Sequence, residues 1–321
     1  MNVKKLAIPA LLLVIISPSA ETAKPVLWHD PTDIGARDLF YGSGGKSHEP
    51  HGGFTFIKED TGGSNPKFVV KDADETKWKV KLGNEARPET AASRIVWAAG
   101  YSVTDDYFLP EMAIQGMPER LHRGRKLVSA NGTVHNVRLK RESKDEKKEG
   151  EWKWRNNPFK GTREFNGLRV VMALINNWDL KDQNNAILKM DGERVYIVSD
   201  LGASFGTGGR TWPENRAKGN LEAYQRAKFI KSLDDGSVDF RTPARPGYKL
   251  LVNLKEYIVR VRMESIGHNI PRQDAKWMGQ LLSRLSRDQL RDAFRAAGYT
   301  PAEANGYSGV LQDRIAKLVD L

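Results

Sequence analysis

Cysteine is absent from the 321-residue chain. That excludes a disulfide framework, a thiol nucleophile, a thiolate zinc site and an acylated-cysteine anchor. Histidine is scarce, and among the six only His48-Glu49-Pro50-His51 is clustered. That pair lies in a Pro- and Gly-rich stretch, not on a helix, so it does not make a zincin pattern. Beyond the first residues no apolar run approaches membrane length, so no transmembrane span is expected there. There is also no dense Lys/Arg tract of the kind that marks a nucleic-acid footprint. Lys+Arg nevertheless number 51 against 40 Asp+Glu, a net charge of +11. Such an excess favours anionic partners: nucleotides, phosphates or an anionic membrane surface. The remaining composition, 39% hydrophobic and 28% charged, is that of a globular chain. Its length suits one large domain or two ordinary ones with a real core.

The chain opens Met1-Asn2-Val3-Lys4-Lys5, followed by the apolar run Leu6 to Ile16 and the small residues Ser17, Ser19, Ala20 and Ala23. A basic start, a short apolar stretch and small residues form the pattern of a signal peptide. Residues 1–23 are therefore expected to be a signal peptide, and the mature protein to be secreted or periplasmic. Residues 24–53, rich in Gly, Pro and polar side chains, read as an irregular arm.

A strand meander follows: Phe54–Lys58, a turn cluster at Thr61-Gly62-Gly63-Ser64-Asn65-Pro66, then Lys67–Val70 and Lys77–Leu82. Pro88 suits the first turn of a helix and Gly100 its end, with Ala92, Ile95, Val96 and Ala99 at helical spacing. Residues 126–155 read as charged and strand-like, with 140–149 a solvated loop. A helix is expected over about 162–176, with Phe165, Leu168, Met172 and Ile175 on one face. Asp191-Gly192 between apolar runs signals a hairpin. The remainder reads as mostly helical. Ser286 with Gln289, and Thr300 with Glu303, have capping-box spacing.

Two segments carry candidate chemistry. In Lys81-Leu82-Gly83-Asn84-Glu85-Ala86-Arg87-Pro88-Glu89, a Lys ends a strand and a Glu falls in the next helix's first turn. The other is Asn177-Trp178-Asp179-Leu180-Lys181-Asp182-Gln183-Asn184, between a helix and a hairpin that ends in Asp200-Leu201-Gly202. Phosphoryl transfer needs an acceptor for the attacking hydroxyl's proton and oxygen ligands that hold magnesium on the phosphates. An Asp, an Asn five residues later, then Asp-x-Gly after a hairpin supply those groups in that order.

On these residues the chain resembles the protein-kinase-like superfamily. Asp-Leu-Lys-Asp-Gln-Asn looks like the catalytic loop Asp-Leu-Lys-x-x-Asn, and Asp-Leu-Gly looks like the metal-binding Asp-Phe-Gly. The Lys81 to Glu89 stretch is closer to the lipid-kinase-like branch, and the Asn-x-Asp-x-x-x-x-Asn form is similar to HipA-type kinases. The resemblance covers roughly residues 54–206. It implies a two-lobed α+β fold, with a small lobe and hinge region over 54–154 and a large helical lobe over 155–321. It further implies an ATP-dependent phosphotransferase using Mg2+ or Mn2+, acting on a hydroxyl of a protein, lipid or sugar. By the resemblance Lys81 contacts the nucleotide phosphates and Glu89 orients it. Asp179 handles the substrate hydroxyl and Lys181 stabilises the transferring phosphoryl, while Asn184 and Asp200 bind metal. Gly62, Gly63 and Ser64 occupy the place of a phosphate-covering turn, without a full Gly-x-Gly-x-x-Gly. Lys79 shares a strand face with Lys81, and Asn185 neighbours Asn184, so each pair leaves the working residue open.

Two other readings compete. A kinase fold outside the cytoplasm has little ATP, which suits a catalytically inactive, pseudokinase-like binding module of the cell envelope. Trp152, Trp154 and Trp178 would then stack on a sugar or base, or simply pack. Gly202-Ala203-Ser204-Phe205-Gly206 matches the Gly-x-Ser-x-Gly of a hydrolase elbow. There the nucleophile would be Ser204, with His268 as its downstream base. The helix-hostile Thr207-Gly208-Gly209 that follows opposes an elbow.

Overall fold

The computed structural model describes residues 23–62, 65–143, 146–177, 179–190, 192–206, 218–241 and 249–321. The apolar run expected as a signal peptide falls outside them, as do Gly63, Ser64, Trp178, Asp191 and residues 207–217. No helix among the described residues is long and apolar enough to cross a membrane.

The first described strand, β1 (Pro25–Val26), pairs in parallel with residues 194–195 far down the chain. Although residues 24–53 hold little regular structure, they are not peripheral: Leu27, Ile34 and Leu39 are buried in the main core. The expected meander is present as β2 (Phe54–Asp60), β3 (Lys67–Lys71) and β4 (Lys77–Lys81), antiparallel in sequence. Helix α1 (Ala86–Ala98) follows, then β5 (Asp106–Gln115) and β6 (Thr133–Arg141). β4 pairs with β6, β6 with β5, and β5 in parallel with β2, closing a five-stranded barrel. Closure leaves no unpaired edge. Phe68, Val70, Trp78, Val80, Met112, Val134 and Leu139 fill the interior.

Past the barrel, β7 (Lys147–Gly150) pairs with β8 (Asn185–Met190), and β8 with β9 (Glu193–Val198). Part of the expected 140–149 loop is therefore strand. Between them α2 (Arg163–Leu174) starts at Thr162, whose side chain accepts from Phe165 N–H. Then come α3 (Leu221–Arg226) and the hairpin β10 (Ile230–Leu233) and β11 (Ser237–Phe240), where the sequence reads as helical. The chain ends through α4 (Lys249–Val252), α5 (Leu254–Glu264), β12 (Ile270–Pro271), α6 (Arg272–Leu282), α7 (Arg287–Arg295) and α8 (Pro301–Val319). Both expected capping boxes are formed, at Ser286/Gln289 and Thr300/Glu303.

The result is a mixed α+β chain with a strand-rich portion and a helical portion. Helix α1 joins them. Its apolar positions Ala91, Ala92, Ile95 and Val96 belong to the core of the helical portion. Its polar positions Glu89 and Arg94 turn to the barrel, where they meet Arg138 and the Asp106 carbonyl. One helix thus carries the core contact and the charged contact at once.

Candidate active site

The β4–α1 connection sets the site. Strand alternation puts Trp78 and Val80 inside the barrel and Lys79 and Lys81 outside. Lys79 is exposed and pairs with Glu142 at 3.2 Å. Lys81, two residues on, is covered by α1 and is only 7% exposed. The chain turns at Gly83 (φ +93°) to enter the helix. Glu85 occupies the N-cap position but makes no side-chain cap, because its carboxylate is turned to Lys81.

Three carboxylates surround the Lys81 ammonium: Glu89 at 2.7 Å, Glu85 at 3.0 Å and Asp200 at 3.4 Å. Glu85 also pairs with Lys218 and accepts from Asn65 Nδ2 at 2.5 Å. Glu89 lies 3.5 Å from Arg138, which is itself 2.8 Å from buried Asp106. A buried charge costs several kcal/mol unless it is paired, and here each has a partner of opposite sign. Burial pulls the Lys81 pKa down, but the charges of Glu89, Asp200 and Glu85 more than offset that and raise it above the ordinary lysine value. For Asp200 burial pushes upward, and the Lys81 charge and the Gly202 N–H overcome it, leaving the carboxyl below its ordinary range.

The second segment is tied to the first through a short ladder. Buried Asn177 donates to the Asp200 carbonyl at 3.4 Å and accepts the Asp179 N–H at 3.1 Å. Asn184 Nδ2 donates to the Asp179 carbonyl at 2.6 Å. The Ser199 N–H and hydroxyl both donate to the Asn184 carbonyl, at 2.8 and 3.0 Å. Gly202 lets the two segments close up, since a Cβ there would fall 2.7 Å from Glu85 Cβ. Lys181 Nζ is 2.8 Å from Asp179 Oδ1, an ion contact not aligned as a hydrogen bond. Asn185 faces elsewhere: it is buried and donates to the Trp152 carbonyl at 3.0 Å.

Lys81, Glu89 and Asp200 thus meet directly, and Asp179 and Asn184 share one loop laced to Asp200. Lys79 stands apart, and Gly62 donates its N–H to Asp60 at 2.9 Å in the β2–β3 turn. The donor set suits a hard divalent cation. The Asp200 side chain is 36% exposed, and Asn184 spends its nitrogen internally, which leaves its oxygen as a donor. Carboxylate oxygens of Glu85, Glu89 and Asp200 also lie within 4.8 Å of one another, but the cation enclosed by all three is Lys81.

No family model matches the chain, and no curated protein does. Among solved structures, the Helicobacter pylori proinflammatory kinase CtkA is similar to it. The two are 13% identical, the likeness covers 85% of this chain and 96% of that one, and the TM-score is 0.46.

The competing constellations do not assemble. Ser204 is fully buried, and its hydroxyl has no hydrogen-bond partner among the described residues. The His268 ring faces Lys231 at 3.4 Å. His48 pairs with Asp105 and His51 with Asp74, on separate acids. Trp152 and Trp154 are buried against each other, ring centroids 4.8 Å apart. Three residues of the site escape sequence reading, Glu85, Arg138 and Lys218, while Asn177 heads the Asn-x-Asp form without a role of its own there. Glu85, at i+4 from Lys81, carries a weak signal. Arg138 and Lys218 carry none, since only the fold brings them in.

Proposed function

We propose that the chain is a kinase-like phosphotransferase with a nucleotide cleft between barrel and helical portion. The observation that carries this reading is the buried Lys81–Glu89 pair at 2.7 Å with Asp200 at 3.4 Å from the same ammonium. A strand lysine fixed by a helix glutamate and set beside a loop aspartate is the arrangement that grips nucleotide phosphates in such enzymes. Lys81 contacts the phosphates of ATP, and Glu89 fixes its direction. Asp179 takes the proton of the acceptor hydroxyl as its oxygen bonds to the terminal phosphorus and the bridging bond to the nucleotide breaks. Lys181, 2.8 Å from Asp179, balances charge on the phosphoryl group in transit. Asn184 and Asp200 hold Mg2+ or Mn2+, which neutralises phosphate charge when bound. Gly62 lies in the turn that covers the phosphates. The acceptor is a hydroxyl of a protein, lipid or sugar outside the cytoplasm.

Thermal unfolding with and without magnesium-ATP tests the nucleotide site. A ligand at about 100 times its dissociation constant stabilises by roughly 2.7 kcal/mol. The expected result is a rise of several degrees that requires magnesium and is lost in Asp200→Ala. A folded wild-type protein with no shift would replace the enzyme by a binding module.

A further inference from the structure

A cavity of about 550 Å3 opens between the barrel and the helical portion, beside the amino-terminal end of α1. It is lined by none of Lys81, Asp179, Asn184 and Asp200. Four of its lining residues, Arg87, Lys126, His135 and Lys218, are basic, and among the described residues no Asp or Glu lines it. Asn84 and Ser129 add neutral hydrogen-bonding groups.

Two of the cations are held in place. Arg87 lies over the Tyr299 ring, 3.9 Å from its centroid, and donates to the Gly298 carbonyl at 2.9 Å and to Glu303 at 3.1 Å. Lys218, with a side chain 17% exposed, is anchored by Glu85. Glu303 and Glu85 are outside the lining, and the described residues that face the cavity carry a cationic excess. His135 pairs with Glu111 at 3.5 Å across an exposed strand pair. Lys126 is exposed and has no ion-pair partner among the described residues. The first turn of α1 adds the positive end of a helix dipole to the same wall.

We propose that this cavity binds a small phosphate-bearing polyanion, at a site separate from the Lys81–Asp200 centre. Its volume exceeds that of one inorganic anion, and its donors come from four parts of the chain: the α1 entry, the 126–129 turn, β6 and residues 218–219. A ligand with several anionic groups engages all of them, whereas a single carboxylate engages one or two. The site is also linked to that centre by contact, because Lys218 and Lys81 share Glu85. This assignment needs no phosphotransferase activity.

The test is calorimetric titration of the full chain with inorganic tripolyphosphate, in low salt with divalent cations chelated. The variants are Lys126→Glu, at an exposed position, and Asp200→Asn. The expected result is one tripolyphosphate per chain. Lys126→Glu should weaken binding by about tenfold or more, and Asp200→Asn should leave it within about twofold of wild type. His135→Ala, scored with them, should weaken binding in the same direction as Lys126→Glu. Three results overturn the proposal: no saturable binding, several molecules per chain as expected of diffuse attraction to a basic surface, or clearly tighter binding in Asp200→Asn, where a carboxylate beside Lys81 is neutralised, without loss in Lys126→Glu. The last would put the anion at the Lys81 centre.

Discussion

Lys81 and Asp200 settle into opposite protonation states for reasons that set how the protein responds to pH. The folded state lowers the Asp200 pKa, chiefly because the Lys81 charge overcomes the burial cost. A depressed folded value means that the ionised carboxylate stabilises the fold above the unfolded pKa, and that this contribution fades as pH falls through the folded value. Lys81 is shifted the other way, upward. Its contribution is complete below the ordinary lysine pKa and is lost only as pH climbs through the raised one. Between these limits neither group changes charge. Urea melts of wild type and Asp200→Asn should therefore differ by a constant margin around neutrality, and the margin should shrink as pH drops below the carboxylate range. A margin that stays flat to pH 3 would sink this account. Lys81, Glu89, Asp179, Asn184 and Asp200 were legible in the sequence because each sits at a fixed offset inside a short motif. Arg138 and Lys218 were not, since their partners are tens to more than a hundred residues away and nothing local marks them.

Among elements, the loop after α2 shows most clearly what holds a site in shape. Asn177 spans two segments, tied to the Asp200 carbonyl and to the Asp179 N–H. Removing that side chain strands buried backbone groups, at about 1–3 kcal/mol. Asn177→Ala should lower stability by that amount in denaturant melts. It should also cut turnover more than nucleotide affinity, because the displaced group is Asp179 and Lys81 keeps its own partners. Equal losses in both would contradict this positioning role. Helices with end signals were readable: Thr300 and Ser286 cap where their spacing indicates. β5 was not, because Pro110 interrupts it. The ladder pairs Leu109 with Val137 and Glu111 with His135, and Asn136 between those partners takes a positive φ of 52°. That irregularity accommodates the proline inside a closed barrel, and no local pattern announces it. The β10–β11 hairpin was hidden for a different reason, being too short for periodicity to separate from helix.

Over the whole molecule, α1 decides cooperativity. Its apolar positions are part of the helical core and its charged positions complete the barrel's ion network. The barrel cannot be released without breaking both. Scanning calorimetry should show a single transition, with calorimetric and van't Hoff enthalpies equal. Two resolved peaks would mean that the strand-rich and helical portions fold independently. The general architecture, strands first and helices after, was readable from alternation giving way to 3.6-residue periodicity. Barrel closure was not, because it depends on β2 meeting β5 in parallel at Phe54↔Ile114 and Thr55↔Gln115, a pairing that side-chain pattern does not encode.

The strand at Pro25–Val26 pairs with Arg194 and Val195, about 170 residues later, and the segment behind it reaches further still, Ile34 and Arg37 accepting from Gln289. A ribosome delivers residues from the amino terminus onward. The earliest described strand therefore has no partner until well over half of the polypeptide has been made, and it must wait, unpaired, while the barrel residues emerge behind it. Residues 25–39 can thus take their native place only after most of the chain has emerged, and a bulky fusion placed just ahead of residue 25 would burden that late docking while leaving the candidate site untouched.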